Sequence, residues 1–182
     1  QVETMKTMVN SFSEYANVPV IRREKVDLRD LIEDTLDFFT TAYPKATIEL
    51  KITEGIPEIN ADPLRLRQVF NNLIKNALEA SSEIGGGHIT VSVREVEYIQ
   101  SHYFEVLISD YGTGIPDELI ASIFEPYVTN KNKGSGLGLA IVKKIVEEHH
   151  GVVSLKNKTD QGVLVTIRFP ITKSISVLEV AE

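Results

Sequence analysis

The sequence predicts an α+β protein: a two-layer α/β sandwich in which one mixed, mostly antiparallel sheet carries helices on one face. Three observations lead there. Segments that alternate apolar and polar residues, such as HITVSVREV and YFEVLISDY, outnumber the helical ones and mostly fall in adjacent pairs. The helical segments each carry a single apolar stripe, so each has one surface to bury. The order is helix, strand, helix, strand, helix, two strands, helix, two strands, which suits hairpins covered by helices.

Val2, Met5, Met8 or Val9, Phe12 and Tyr15 stand at helical spacing, and Pro19 stops that helix. Nothing at this end completes a core around the stripe, so the chain is expected to be a piece of a longer protein. IRREKV reads as a short strand. Asp27 stands as N-cap of a helix through about Ala42, with Leu28, Leu31, Ile32, Leu36 and Phe39 inward and Pro44 ending it. ATIELKIT alternates like a half-buried strand, and GIPEINADP is a turn-rich connection. Asp62 and Pro63 form a cap and first-turn proline pair. The helix they open runs to about Glu83, with Leu66, Val69, Phe70, Leu73, Ile74, Ala77 and Leu78 on its core face, and Gly85, Gly86 and Gly87 break it. HITVSVREV and YFEVLISDY pair as a hairpin turning near Tyr98 to Ser101. DELIASIF is a short helix, and EPYVTNKNKGSG, polar and aperiodic, is a loop. Leu137 to about His149 is a helix closed by Gly151. VVSLKN and VLVTIRFP make the last strand pair, and no element is assigned after Pro170.

A length of 182 residues suits one domain with a proper core and a short appendage. Its net charge of −7 and lack of any Lys/Arg block argue against nucleic acid as a partner. Cysteine is absent, which excludes disulfides, thiolate metal sites and a thiol nucleophile. No apolar run approaches the roughly 20 residues of a membrane span, so no direct membrane contact is expected of this piece.

Chemistry concentrates in three segments. In NNLIKNALEA, Asn72 and Asn76 share one helix face at the edge of the apolar stripe. Amide oxygens are hard neutral ligands, suited to Mg²⁺ that also binds phosphate and water. Two surface amides on an amphipathic helix are the plain alternative, although Asn is a poor helix former. In DYGTGIP, Asp110 ends a strand and could accept from an exocyclic amine such as adenine N6. Gly112 and Gly114 would let the backbone turn sharply beside a planar ring, but Asp and Gly also favour ordinary turns. In GSGLGLAIV, Gly134, Gly136 and Gly138 run straight into an apolar helix, whose first N–H groups form a ready anion site. It is neither a Walker loop nor a dinucleotide fingerprint. Thr129 and Lys131 could close over phosphates from the preceding loop. His149 and His150 read as a charge-compatible helix end. His88 and His102 sit in strands without a partner pattern.

Together these residues resemble the catalytic and ATP-binding domain of two-component sensor histidine kinases, within the gyrase, Hsp90, histidine kinase and MutL superfamily. The N box would be RLRQVFNNLIKNALEA, the aspartate-glycine motif DYGTGIP, the phenylalanine box IFEPYVTNK and the glycine motif GSGLGLAIV. The likeness runs from about Val26 to Pro170, and FSEYANVP resembles the end of a dimerisation helix of the nitrogen-regulation, NtrY-like class. It implies a Bergerat-type ATP-binding fold over residues 19–172, a dimerisation-helix end over 1–18 and a C-terminal extension over 173–182. It implies ATP and Mg²⁺ as cofactors, with Asn76 as metal ligand assisted by Asn72, and Asp110 on the adenine amine. Phe124 would anchor the lid, while Thr129, Lys131 and the backbone from Gly134 through Ser135, Gly136 and Leu137 to Gly138 hold phosphates. Lys75, Gly112, Gly114 and Ile115 complete the implied ATP site. The implied partners are the dimerisation and phosphoacceptor domain of the same kinase, in a homodimer, and a response regulator. The implied setting is the cytoplasmic side of a membrane-anchored sensor.

Two departures stand out. No histidine of the chain lies in an acidic helical context suited to phosphoacceptance, so the acceptor is expected in a preceding segment. Val163 follows Gly162 where many relatives carry a threonine. Asn72 also separates subclasses, because ATPases of this fold place a glutamate there to activate water and an amide cannot act as that base. An ATP-hydrolysing module, or a non-catalytic nucleotide-binding one, is the alternative function.

Overall fold

The computed structural model describes residues 20–83, 85–131 and 134–171. The helix expected over residues 2–16 and the extension over 173–182 lie outside the described residues. The elements are β1 (Glu24–Val26), α1 (Leu28–Ala42), β2 (Thr47–Ile52), β3 (Ile59–Ala61), α2 (Pro63–Ser82), β4 (His88–Tyr98), β5 (Ser101–Asp110), α3 (Asp117–Ile120), α4 (Gly138–Glu148), β6 (Val152–Asn157) and β7 (Val163–Pro170).

Both long helices begin where their caps place them. Asp27 accepts from the N–H groups of Arg29 and Asp30, and Asp62 Oδ1 from those of Leu64 and Arg65 at 3.1 Å each. Such a cap contributes about 1 kcal/mol by satisfying amides that the first helical turn leaves unpaired. Every residue expected to face inward on α1 and α2 is buried.

The main sheet has the order β2-β4-β5-β7-β6, with β2 parallel to β4 and all other pairs antiparallel. A parallel pair needs a crossover, and α2 supplies it. The register aligns Leu50, Val91, Ile108, Val165 and Leu155 in one row across the five strands. Ile52, Val93, Val106, Ile167 and Val153 form the next. The apolar stripes of α1, α2 and α4 join these rows in one core, the expected two-layer arrangement. On the opposite face Glu105 stands between Arg94 and Arg168, accepting from their Nε groups at 2.9 and 2.7 Å. Burial would raise the Glu105 pKa, but the two guanidiniums outweigh it and hold the carboxyl below its usual range.

Two elements differ from the sequence reading. The turn-rich GIPEINADP contains a strand, β3, which pairs antiparallel with β1. A three-residue strand carries no period of its own, and its partner lies 35 residues upstream. Only Asp117 to Ile120 of DELIASIF is helical. The β4–β5 hairpin turns as expected, but through Ile99 and Gln100 at φ 48° and 61°, without the usual glycine or asparagine.

His149 is a further correction. It is not a charged helix end but a buried ring that fastens α4 to α2. Its Nε2 accepts the Asp62 N–H at 3.0 Å, and Nδ1 donates to the Ile145 carbonyl at 2.8 Å, which defines a neutral tautomer. Burial holds its pKa below the ordinary 6.5 and Arg23 adds to this, while the Ile145 bond, Asp62 and Glu148 oppose it. An unfolded chain takes up a proton here that the folded one refuses. Stability from this group is therefore complete above about pH 6.5 and declines as pH falls below it. Denaturation midpoints should drop more steeply below about pH 6.5 in the native chain than in His149→Gln. Equal slopes would show that His149 carries no such linkage.

Candidate nucleotide site

Helix α2 presents Asn72, Asn76 and Glu79 on successive turns of one face, beside the core stripe. Asn72 Nδ2 donates to the Gln68 carbonyl at 3.1 Å. Its Oδ1 abuts the start of α4: a methyl group on Gly138 would stand 3.2 Å from it. Asn76 Oδ1 accepts from the Lys131 ammonium at 3.1 Å, and the same nitrogen lies 2.7 Å from Glu79 Oε2. The Lys75 ammonium is 3.9 Å from the other Glu79 oxygen. Lys131 thus reaches the site by lying on the proposed metal ligand.

Asp110 ends β5 and is 6% exposed. Its Oδ1 accepts the N–H groups of Gly112 at 2.8 Å and Val163 at 3.1 Å. Burial raises its pKa above the ordinary value, against the pull of those two bonds and of the Lys158 and Lys131 charges. The backbone of Gly162 passes so close that a methyl group there would lie 2.2 Å from the Asp110 carbonyl oxygen. The following turn is clamped by Asn157, which accepts the Ile115 N–H at 2.9 Å and donates to the Ile115 carbonyl at 2.7 Å. Lys158 donates to the Asp110 carbonyl at 3.0 Å, and its ammonium lies 3.7 Å from the centre of the Tyr111 ring, which stacks on His88.

The glycine segment completes the third side. The N-cap of α4 is the apolar Leu137, whose side chain makes no hydrogen bond to the first amides of the helix. Ser135 Oγ accepts the Leu137 N–H at 3.3 Å, and Thr129 Oγ1 accepts that of Lys131 at 3.0 Å. A methyl group on Gly134 would stand 2.7 Å from Thr129 Oγ1, and Tyr127 donates to the Gly136 carbonyl at 2.9 Å. Phe124 is half-buried, and its neighbour Ile123 is buried at 4% exposure.

The fold therefore brings the amide helix, the aspartate turn and the glycine helix start together. It also adds Glu79, Asn157 and Lys158, which the sequence reading did not single out. Glu79 lay within the amide motif, one turn beyond Asn76, and that spacing was the available signal. Asn157 and Lys158 sit at the end of an ordinary edge strand, and no local pattern marks them. The donor set suits the two cofactors. An amide and a carboxylate oxygen already converge on one cationic nitrogen, and helix-start amides without a capping N-cap side chain, with a nearby ammonium, suit phosphate.

Residues 61–173 match the family described as histidine kinase-, DNA gyrase B-, and HSP90-like ATPase. The chain belongs to this family. Its relatives within the family include sensor histidine kinases. It is 31% identical over 169 residues to a putative NtrY-like sensor histidine kinase of Rickettsia felis, covering 93% of this chain and 28% of that protein. It is 32% identical over 173 residues to the sensor histidine kinase ZraS of Escherichia coli, covering 94% and 36%. Sporulation kinase E of Bacillus subtilis is 27% identical over 176 residues, with 96% and 23% covered. The chain thus spans between 23% and 36% of the length of these three relatives. Among solved structures, the mycobacterial sensor histidine kinase MprB superposes with a TM-score of 0.71 at 27% identity, covering 82% of this chain and 97% of that one. The catalytic domain of histidine kinase ThkA gives 0.66 at 28% identity, covering 82% and 95%. The family's ATP-binding catalytic domain is therefore the unit that this fold and motif set represent. Among the described residues no helix is long and apolar enough to cross a membrane.

Proposed function

We propose that residues 19–172 bind Mg-ATP and transfer its γ-phosphoryl group to a histidine on the dimerisation domain of the same kinase. Residues 1–18 would be the end of that domain's helix. The phosphoryl group would pass on to a response regulator, and the whole protein would be a membrane-anchored sensor with this domain in the cytoplasm. The observation that carries the reading is the convergence of Asn76, Asp110 and the uncapped start of α4 on one site.

Each residue then has a role. Asn76 Oδ1 is the metal ligand, with Asn72 beside it at the α4 start. Asp110 holds its Oδ1 on two backbone amides, which fixes the carboxyl and leaves Oδ2 for the adenine amine. Thr129, Lys131 and the amides from Gly134 to Gly138 hold the phosphates. Bound Mg²⁺ would neutralise the phosphate charge, and phosphoryl transfer needs mostly that and positioning. Asn72 cannot take a proton from water, so the site keeps ATP for transfer.

Glu79 is the one observation favouring a water-using ATPase, since it places a carboxylate in the site. Both its oxygens face ammonium groups, which hold it as a charge partner and not as a free base. ATP turnover measured alone, and then with a histidine-bearing dimerisation domain added, separates the two readings. Phosphohistidine on the added domain with slow turnover alone is the expected outcome, and fast turnover alone would favour the ATPase. Calorimetry adds a residue-level check. Asn76→Ala should lower ATP affinity about tenfold with Mg²⁺ present and little without it. An equal loss in both conditions would point to a disturbed helix.

A further inference from the structure

Glu79 and Lys131 form a pairing that the metal-ligand role of Asn76 does not by itself require. The Lys131 ammonium is 2.7 Å from Glu79 Oε2 and 3.1 Å from Asn76 Oδ1. One nitrogen thus sits between a hard neutral oxygen and a hard anionic one, the oxygen set that a small divalent cation prefers. On the reading of Asn76 as metal ligand, on which this inference rests, the ammonium stands in the place of the metal.

We propose that Glu79 is a second oxygen of the cation position, and that Lys131 holds this position until Mg²⁺ replaces it. Charge explains why a placeholder is needed. A carboxylate facing a triphosphate repels it, so a positive group must stand between them in every state that binds nucleotide. Lys75 is too far from Glu79, at 3.9 Å, to make a hydrogen bond, and it is anchored one turn along the same helix. Lys131 comes from the opposite side of the site and touches both oxygens. Mg²⁺ keeps several waters when bound. Asn76 would then ligate it directly and Glu79 through one of those waters. The displaced Lys131 ammonium becomes free for the phosphates, so the metal and the lysine change places without leaving either carboxylate or phosphate uncompensated. The loop bearing Lys131 is tied to α2 before nucleotide arrives, and metal binding is what unties it.

The ordinary alternative is a half-exposed helix ion pair with no part in binding, which would make Glu79→Gln nearly neutral. The test compares ATP affinity by calorimetry, with Mg²⁺ and with chelator, for the native chain, Glu79→Gln and Glu79→Asp. The gain in affinity that Mg²⁺ confers should fall about tenfold in Glu79→Gln, while metal-free affinity stays level or improves. Glu79→Asp should keep part of the gain. In nucleotide-free protein, the amides of Val128 to Lys131 should exchange faster in Glu79→Gln than in the native chain, because one end of the tether is lost. Full retention of the Mg²⁺ gain in Glu79→Gln, an equal loss with and without metal, or unchanged exchange would each overturn the proposal. A native chain that binds no ATP at all would overturn the nucleotide reading itself and this inference with it.

Discussion

Asp110→Asn should lower ATP affinity about thirtyfold while leaving thermal stability unchanged or raised. The carboxyl is buried, and burial pushes its pKa up, so the fold carries the cost of a desolvated charge. An asparagine has the same shape. Its Oδ1 can still accept the Gly112 and Val163 amides, so the local backbone bonds survive. The charge cost disappears with the substitution. A group whose folded pKa is raised weakens the fold as pH rises through that value, and the neutral amide removes that dependence. Function moves the other way. The position of Oδ2 becomes an NH₂ group, which would face the adenine amine donor to donor. The carbonyl oxygen of guanine could accept from it instead. Titrations with ATP and GTP, alongside thermal melts, therefore form one experiment. The expected result is a lost preference for ATP over GTP without a lower melting temperature. Equal losses for the two nucleotides would remove Asp110 from adenine recognition.

Gly162→Ala should destabilise the domain by about 3–5 kcal/mol, a large share of what a domain of this size has to lose. Two penalties act together. The residue lies at φ +84°, where a side chain costs about 1–2 kcal/mol. The added methyl group would also stand 2.2 Å from the Asp110 carbonyl oxygen and 2.7 Å from its Oδ1. Relief requires β5 and β7 to part at the Ser109–Leu164 pair, which breaks the Val163 bond to Asp110 as well. Gly55→Ala is the control. It shares the left-handed φ, at +75°, but has nothing within 4 Å of the added carbon, so only the backbone penalty applies. Urea denaturation of both variants should show a deficit for Gly162→Ala at least twice that for Gly55→Ala. Similar deficits would mean that the close approach of Gly162 to Asp110 is relieved at little cost.

These expectations draw on features of different legibility. The caps at Asp27 and Asp62, the inward residues of α1 and α2 and the β4–β5 hairpin were all readable along the chain. Each is decided within a few residues, by a side chain reaching its own helix start or by a period of 3.6 or 2. The β1–β3 pair was not readable, because three residues show no period and the partner is distant in sequence. The neutral His149 was misread for a related reason. Its position beside a glycine at a helix end suggested a charge-compatible terminus, whereas the start of α2, 87 residues away, covers it.

The same division runs through the site. The sequence by itself determined which groups could bind ATP: amides at one turn's spacing, an aspartate before a glycine turn, and glycines opening an apolar helix. Their order along the chain also determined the family, which the match over residues 61–173 bears out. Only the tertiary structure decided which oxygen of Asp110 is committed to the backbone, that Asn157 and Lys158 brace its turn, and that Lys131 lies on Asn76 and Glu79. Those contacts join residues between 42 and 55 positions apart. Spacing along one helix or strand specifies which side chains share a face. What stands opposite that face depends on the packing of the whole sheet and its helices, which no local pattern encodes.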